Sequence, residues 1–439
     1  IVICYLQFGQ GSDPVSETPF RTRGRPVTRR RRDDHDGAWH HIMNRGVDRQ
    51  EIFRDDIDRR SFLIELRDAC AIVGTGHSRL GRVPGVSSLD LLVEAMRNAI
   101  ADSGIRVSDI DGIVCRGPDD IYSHHQQIGA RLGINVKFST SLDNGGASQI
   151  LAVAIASMAI KAGMASTVIC GYGRDSWSRT HSSEEARVKN QTTPDDQLPK
   201  EFAPEYGYFG AVAAHAFGAT RHMHLYGTTR DQFGEVAVAC REHALRNPDA
   251  QMKKPLSMAQ YHEAPQVVSP FGLYDCSLRS DGAGAVIVTS RERARDLKQP
   301  PVLIKGFGSF NNLRGWFADD NMVVTAAKQS GEIAYGMAGV GPDDVDTAQI
   351  YDCFTYMVLT QLEDYGFCKK GEGGEFVASG ALRMGGRLPT NTSGGQLSEA
   401  HVEGMLQVVE GARQMRHTYP AERQVKDAEI ALVSGHGGN

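Results

Sequence analysis

Two stretches decide how this chain folds: Ser141-Leu-Asp-Asn-Gly-Gly-Ala-Ser148 and Asn391-Thr-Ser-Gly-Gly-Gln-Leu-Ser398. Each sets a glycine pair ahead of a helix-like run, and each run leads to an apolar strand ending in glycine. The first continues over 149–161 and then through Ser166-Thr-Val-Ile-Cys-Gly171. The second continues over 399–414 and then through Ala428-Glu-Ile-Ala-Leu-Val-Ser-Gly435. A unit repeated about 250 residues later predicts two matching α/β halves around one site. Two helix N-termini facing that site would offer backbone N–H groups to a developing oxyanion.

The halves extend outward from these loops. Cys70-Ala-Ile-Val-Gly-Thr-Gly76 reads as a buried strand and turn. Ser87 and Ser88 can cap a helix carrying Leu91, Leu92, Ala95 and Ile100, and 109–114 supplies the next strand. The second half repeats the order, with a helix over 322–337, a turn over 341–346 and a strand over 347–351. The charged segment 291–301 ends in Pro-Pro and separates the halves, giving domains over 70–295 and 300–439.

A chain of 439 residues, 41% hydrophobic and 23% charged, has the composition of a soluble globular protein with room for two or three domains. The net charge of −5 hides an arginine-rich run over 21–32, so the main body is acidic and ill suited to nucleic acid. Residues 1–37 read as a basic tail without fixed structure. Eight cysteines without a C-x-x-C pair read as reduced core residues of a cytoplasmic protein. No apolar run approaches the roughly 20 residues that cross a bilayer. His40-His41, His124-His125 and His222-x-His224 lack cysteine or carboxylate at ligand spacing, so no metal is expected. Gly74-x-Gly76 does not complete a dinucleotide-binding G-x-G-x-x-G.

Two resemblances follow. Residues 38–68, beginning Ala38-Trp-His-His-Ile-Met-Asn-Arg-Gly46, resemble the opening strand and first helix of REP-associated tyrosine transposases. The likeness stops before that family's paired-histidine metal motif and catalytic tyrosine, so it implies a fused remnant or an upstream extension of the reading frame, not transposition.

The remainder, about 70–439, resembles the thiolase superfamily, in its lipid-transfer-protein-like branch often labelled acetyl-CoA acetyltransferase. The duplicated halves, both glycine loops, Ser280-Asp-Gly-Ala-Gly-Ala285 before an apolar strand and Gly435-His-Gly-Gly438 carry the likeness. It implies a layered α-β-α-β-α core, a homodimer, and no cofactor beyond the coenzyme A of an acyl-CoA substrate. It also implies a small OB-fold, zinc-ribbon partner protein. The family's nucleophilic Cys-Ala-Ser-Gly turn is matched by Gly146-Ala-Ser-Gln149, and its Asn-Glu-Ala-Phe by Tyr351-Asp-Cys-Phe354. Its second cysteine falls on Val433, and its histidine six residues after a glycine pair falls on His401.

Glycine and valine cannot carry an acyl group or move an α-proton, so thiolysis through an acyl-cysteine is excluded at those positions. Amides at Gly146, Gly395 and Gly437 would still hold an oxyanion, with Ser148 capping the first helix. The resemblance therefore implies retro-aldol cleavage of a β-hydroxyacyl-CoA, as in the breakdown of sterol side chains. His401 would be the general base, Tyr351 would handle the proton on the β-oxygen, and His436 would reach the thioester oxygen. Branch members of this kind look tyrosine-based, with a second tyrosine where this chain has His401.

Two rival readings stand beside this one. In the first, an acetyl-CoA acetyltransferase uses Cys353 or Cys276 as a displaced nucleophile; in the second, the protein is a non-catalytic carrier of lipid or acyl-CoA. Asp352 reads as a cap or orienting group, and 202–217 with 262–274 as a lid over the acyl chain. The family continues past its last glycine loop into one more strand. Without it, the second sheet would keep an unpaired edge.

Overall fold

The computed structural model describes residues 2–6, 66–117, 123–182, 210–311 and 322–437. The first half begins with β2 (Cys70–His77), after the short N-terminal strand β1 (Val2–Leu6). It continues through α1 (Ser88–Ser103), β3 (Gly112–Cys115), α2 (His124–Leu132), β4 (Phe138–Ser141), α3 (Ser148–Lys161) and β5 (Thr167–Asp175). A helical excursion follows: α4 (Ser176–Thr180), α5 (Gly210–Tyr226), α6 (Arg230–Arg246), α7 (Met258–Glu263) and the hairpin β6 (Gln266–Val268) and β7 (Phe271–Gly272). Strand β8 (Asp281–Ser290) and the single turn α8 (Arg291–Ala294) close that half. The second half runs β9 (Val302–Phe307), α9 (Ala327–Ala338), β10 (Thr347–Gln349), α10 (Thr355–Asp364) and α11 (Gly373–Ala378). It ends with α12 (Gly395–Ser398), α13 (Met405–Met415) and β11 (Ile430–Val433).

Nine strands form one sheet in the order β10-β11-β1-β9-β2-β8-β5-β3-β4. Within the sheet, the halves pair through Ala71 opposite Leu303 and Ile72 opposite Val302. Alternate strand residues face opposite cores, as a period of two requires. Ile72, Val168, Val286 and Val302 pack with α3 and α13, whereas Val73, Ile169, Ile287 and Leu303 pack with α1. Helix α1 starts where the Ser87 side chain accepts the Asp90 N–H and ends at a left-handed Gly104. Helix α3 is apolar almost all round, which suits a helix buried between layers.

The duplication shows in how tightly the strands meet their helices. A Cβ on Gly76 would lie 2.3 Å from the Ala95 carbonyl of α1, and one on Gly308 2.1 Å from the Ser330 carbonyl of α9. Gly74-x-Gly76 and Gly306-x-Gly308 are thus the same close-approach device, not a phosphate loop.

Several expectations are corrected. Strand β1 lies within the segment read as an unstructured tail, so that reading fails for Val2–Leu6. It pairs antiparallel with both β11 and β9, as β8 pairs with β5 and β2. The slot expected to stay open is therefore filled by the start of the chain. The helix read over 322–337 starts only at Ala327, because Thr325 is held by Asp364 through its amide at 2.7 Å and its hydroxyl at 2.9 Å. The second glycine run is not one helix. It breaks between α12 and α13, where Glu403 and Gly404 take φ of 45° and 85°. The transposase-like stretch up to residue 65 lies outside the described residues.

Candidate active site

The backbone of Tyr351 is locked just beyond β10. Its N–H donates to Ser434 Oγ (2.9 Å), that hydroxyl donates to Gln361 Oε1 (2.9 Å), and Gln361 Nε2 returns to the Tyr351 carbonyl (2.8 Å). This aims the ring at the start of α3. A Cβ placed on Gly146 would stand 2.1 Å from the Tyr351 hydroxyl, so only glycine fits there. Burial, and after it the Glu403 carboxylate, pushes the phenol well above its usual range, while Arg174 pulls the other way. Tyr351 is therefore a phenol at neutral pH.

His401 reaches the site because the helical run breaks. Asp352 sets that break: Oδ1 accepts from the Gln396 amide (2.9 Å) and Gln407 Nε2 (3.0 Å), and Oδ2 from the Leu397 amide (3.2 Å). The Asp352 carboxylate thus occupies the N-terminus of α12, confirming it as a cap. For the same reason Gly395 cannot be an oxyanion donor. Its N–H points to Ser393 Oγ (3.4 Å), and a Cβ there would lie 2.1 Å from Asp352 Oδ2.

The His401 N–H donates to Ser280 Oγ (3.1 Å) and its Nδ1 lies 3.1 Å from Ser277 Oγ. Its Nε2 is enclosed and has no hydrogen-bond partner among the described residues. The Tyr351 and His401 rings meet edge to face at 6.5 Å between centroids. Burial, then the positive charge of Arg174, lowers His401 to about 3. The expectation of a base titrating near neutrality is corrected: His401 is a neutral imidazole, and its Nε2 carries the lone pair in the tautomer that keeps the proton on Nδ1.

His436, in the last glycine loop, sits 6.3 Å from the Tyr351 ring and is lowered by burial to about 4. Gly437 lies flat against the first loop, where a Cβ would be 2.4 Å from the Asn144 carbonyl. Ser148 does not cap α3 and does not face substrate. Its fully buried hydroxyl accepts from the Asn144 amide (2.7 Å) and donates to the Gly145 carbonyl (2.7 Å), clamping the loop.

A cavity of about 540 Å³ opens on His436 and Gly437 and is lined by Ile150, Met158, Phe307, Phe310 and Tyr365. Asp143, Asn144, Ser330 and Gln361 share the lining, so the cavity suits a ligand fragment of mixed polarity.

Sequence reasoning missed four residues around this centre. His215 on α5 has its Nδ1 2.7 Å from the Ala211 carbonyl and Nε2 3.7 Å from Cys353 Sγ, and its ring lies 5.5 Å from His436. Burial lowers His215 and raises the Cys353 thiol, so the two stay neutral instead of forming a thiolate pair. Cys276 is likewise raised by burial, to about 12. Arg116, Arg174 and Glu403 form a charged group behind Tyr351. The only signal for them was an arginine closing an apolar strand, Gly171-Tyr-Gly-Arg174, and a glutamate two residues after His401. Of the proposed lid, Phe271 is a core residue, while Phe217, Val267 and Leu273 are about half exposed.

Comparison with known proteins identifies the family of this fold. The family model described as "Thiolase, N-terminal domain" matches residues 70–269, and "Thiolase C-terminal domain-like" matches 308–439. A steroid side-chain-cleaving aldolase of Thermomonospora curvata is 36% identical over 381 residues, covering 85% of this chain and 96% of the relative. A 17-hydroxy-3-oxo-4-pregnene-20-carboxyl-CoA lyase of Mycobacterium tuberculosis is 35% identical over 384 residues, covering 85% and 97%. Among solved structures, an Ltp2-ChsH2(DUF35) aldolase superposes with a TM-score of 0.75 at 34% identity, covering 85% of this chain and 96% of that one.

Proposed function

This chain belongs to the thiolase superfamily, and we propose that it uses that scaffold as a retro-aldol lyase acting on a β-hydroxyacyl-CoA of steroid side-chain breakdown. The Tyr351 hydroxyl standing in the place of a Gly146 side chain carries this reading. Acyl transfer of the thiolase kind places its nucleophile at the head of α3, and position 146 has room for none.

The residues suit the alternative chemistry. The substrate's β-hydroxyl proton passes to the open Nε2 of His401, with the Tyr351 phenol hydrogen-bonding the same oxygen. The O–H electron pair becomes the new carbonyl as the Cα–Cβ bond breaks, and that bond's electrons become the enolate of the shortened acyl-CoA. The proton then returns to Cα, so nothing is oxidised or reduced. A neutral imidazole suits the first step, because its positive charge appears only as the negative enolate forms. His436 and the amide of Gly437 would hold the thioester oxygen, and the 540 Å³ cavity beside them would take part of the substrate. Coenzyme A enters only as part of the substrate.

The reading includes a homodimer, a small partner protein and a cytoplasmic setting. β4 lies at the end of the sheet, an edge that a second copy could extend. The solved Ltp2-ChsH2(DUF35) aldolase carries a second component in its name, and a partner of that kind would suit this chain. Seven cysteines are unpaired and no helix is long and apolar enough to cross a membrane, both among the described residues.

The test is a panel of β-hydroxyacyl-CoA esters, with and without a partner protein. Release of a carbonyl compound together with a shortened acyl-CoA supports the lyase. Binding without either product, across the panel, would leave a carrier.

A further inference from the structure

Strand β5 ends with Tyr172 and Arg174 two residues apart, and so on one face of the strand. Arg174 meets the loop that carries His401, and Tyr172 lies in one apolar cluster with Ala400 and Val402 of that loop. Arg174 Nη1 lies 3.3 Å from Glu403 Oε1, and Arg116 Nη1 bonds the other oxygen of the same carboxylate. Arg116 also sits 5.7 Å above the Tyr172 ring and touches Asp143, but Asp143 is 77% exposed and its charge is screened by water. A buried guanidinium, Arg116, and a partly buried one, Arg174, therefore share one partly buried carboxylate. Glu403 leads into Gly404, where a Cβ would lie 3.6 Å from the Tyr351 ring and 3.2 Å from the Gly146 carbonyl. The segment tied to Arg174 through Glu403 thus packs on Tyr351, and the Arg174 charge acts on both groups that would handle the proton. Arg174 Nε is buried with no hydrogen-bond partner among the described residues.

We propose that Arg174 is an electrostatic positioning residue of the cleavage step. Its charge, left over once Glu403 has neutralised Arg116, stabilises the negative charge that builds on the substrate as the Cα–Cβ bond opens. The inference rests on the lyase reading. In a water-poor site a fixed charge acts much more strongly than in solvent and needs no reorganisation as the reaction proceeds. The same charge opposes protonation of His401 and favours ionisation of Tyr351, while Glu403 disfavours ionisation of Tyr351. The charged and titratable groups around His401 are Arg174 from β5, Tyr351 beyond β10 and Glu403 in its own loop, with Arg279 near Arg174.

The test uses full-length Arg174→Met, Arg174→Lys and Glu403→Gln. Arg174→Met should lower kcat by about 10²–10³ with KM little changed, the loss typical of one preorganised charge or donor. Arg174→Lys keeps the charge and should recover part of that rate. Glu403→Gln cuts the same tie but leaves the arginine charged, so it should lose less. Histidine NMR titration, with His401 assigned by the signal missing in His401→Gln, should show its pKa rising in Arg174→Met and staying low in Arg174→Lys. Equal losses in all three variants with an unmoved His401 would make Arg174 a structural tie and overturn the proposal. Because the titration needs no turnover, a wild-type protein without lyase activity would defeat the lyase reading while still measuring the field of Arg174.

Discussion

The hydroxyl of Tyr351 lies in the space that a side chain on Gly146 would fill, with a Cβ there 2.1 Å from the phenolic oxygen. A side chain at position 146 and the present Tyr351 ring therefore exclude each other. Gly146→Cys should not restore a thiolase. It should displace the ring, destabilise the protein by about 1–3 kcal/mol as overpacking does, and reduce cleavage. Urea unfolding and product assay check both. Adding Tyr351→Ala should recover the stability but not the lyase.

His401→Ala should lower kcat by roughly 10²–10⁴, the usual contribution of a positioned acid–base group. Steady-state kinetics on the best substrate of the panel decides this, and an unchanged kcat rejects the role.

Acid should expose the two buried imidazoles. His401 and His436 sit at about 3 and about 4 when folded, against an ordinary value near 6.5. Between those values the unfolded chain binds more protons, so stability falls as pH drops through this window and is fully present above it. Each contributes a slope of up to about 1.4 kcal/mol per pH unit. Asp352, raised by burial to about 6, acts in the opposite sense, since its contribution is lost as pH rises through that value. Urea midpoints of wild type and His401→Gln from pH 4 to 7 should separate them, with a shallower decline in the variant. Parallel curves would contradict the assignment.

Asp352→Asn turns an acceptor of three donors into a group with donors of its own. It should cost about 1–3 kcal/mol and also lower kcat, because the loop it anchors carries His401. A variant with lost stability but full kcat would show that the cap and the catalytic loop are independent.

The sequence announced the fold because a duplicated glycine loop and period-two strands leave few alternatives, and Tyr351, His401 and His436 do converge as the motif positions implied. What it hid depends on contacts between segments far apart in sequence. Nothing local to Gly395 says that Asp352 has already claimed that helix end. Nothing near His401 says that burial and Arg174, more than 200 residues earlier, strip its usual basicity. The break after α12 was missed because Glu403, a residue seldom at positive φ, sits there beside Gly404.

The central claim is tested most directly by intact-protein mass spectrometry during turnover of a β-hydroxyacyl-CoA, with both small products quantified. Equal amounts of carbonyl compound and shortened acyl-CoA, with the protein's mass unchanged throughout, are expected. An acyl adduct that accumulates and decays with turnover, on Cys353 or any other side chain, would contradict the account.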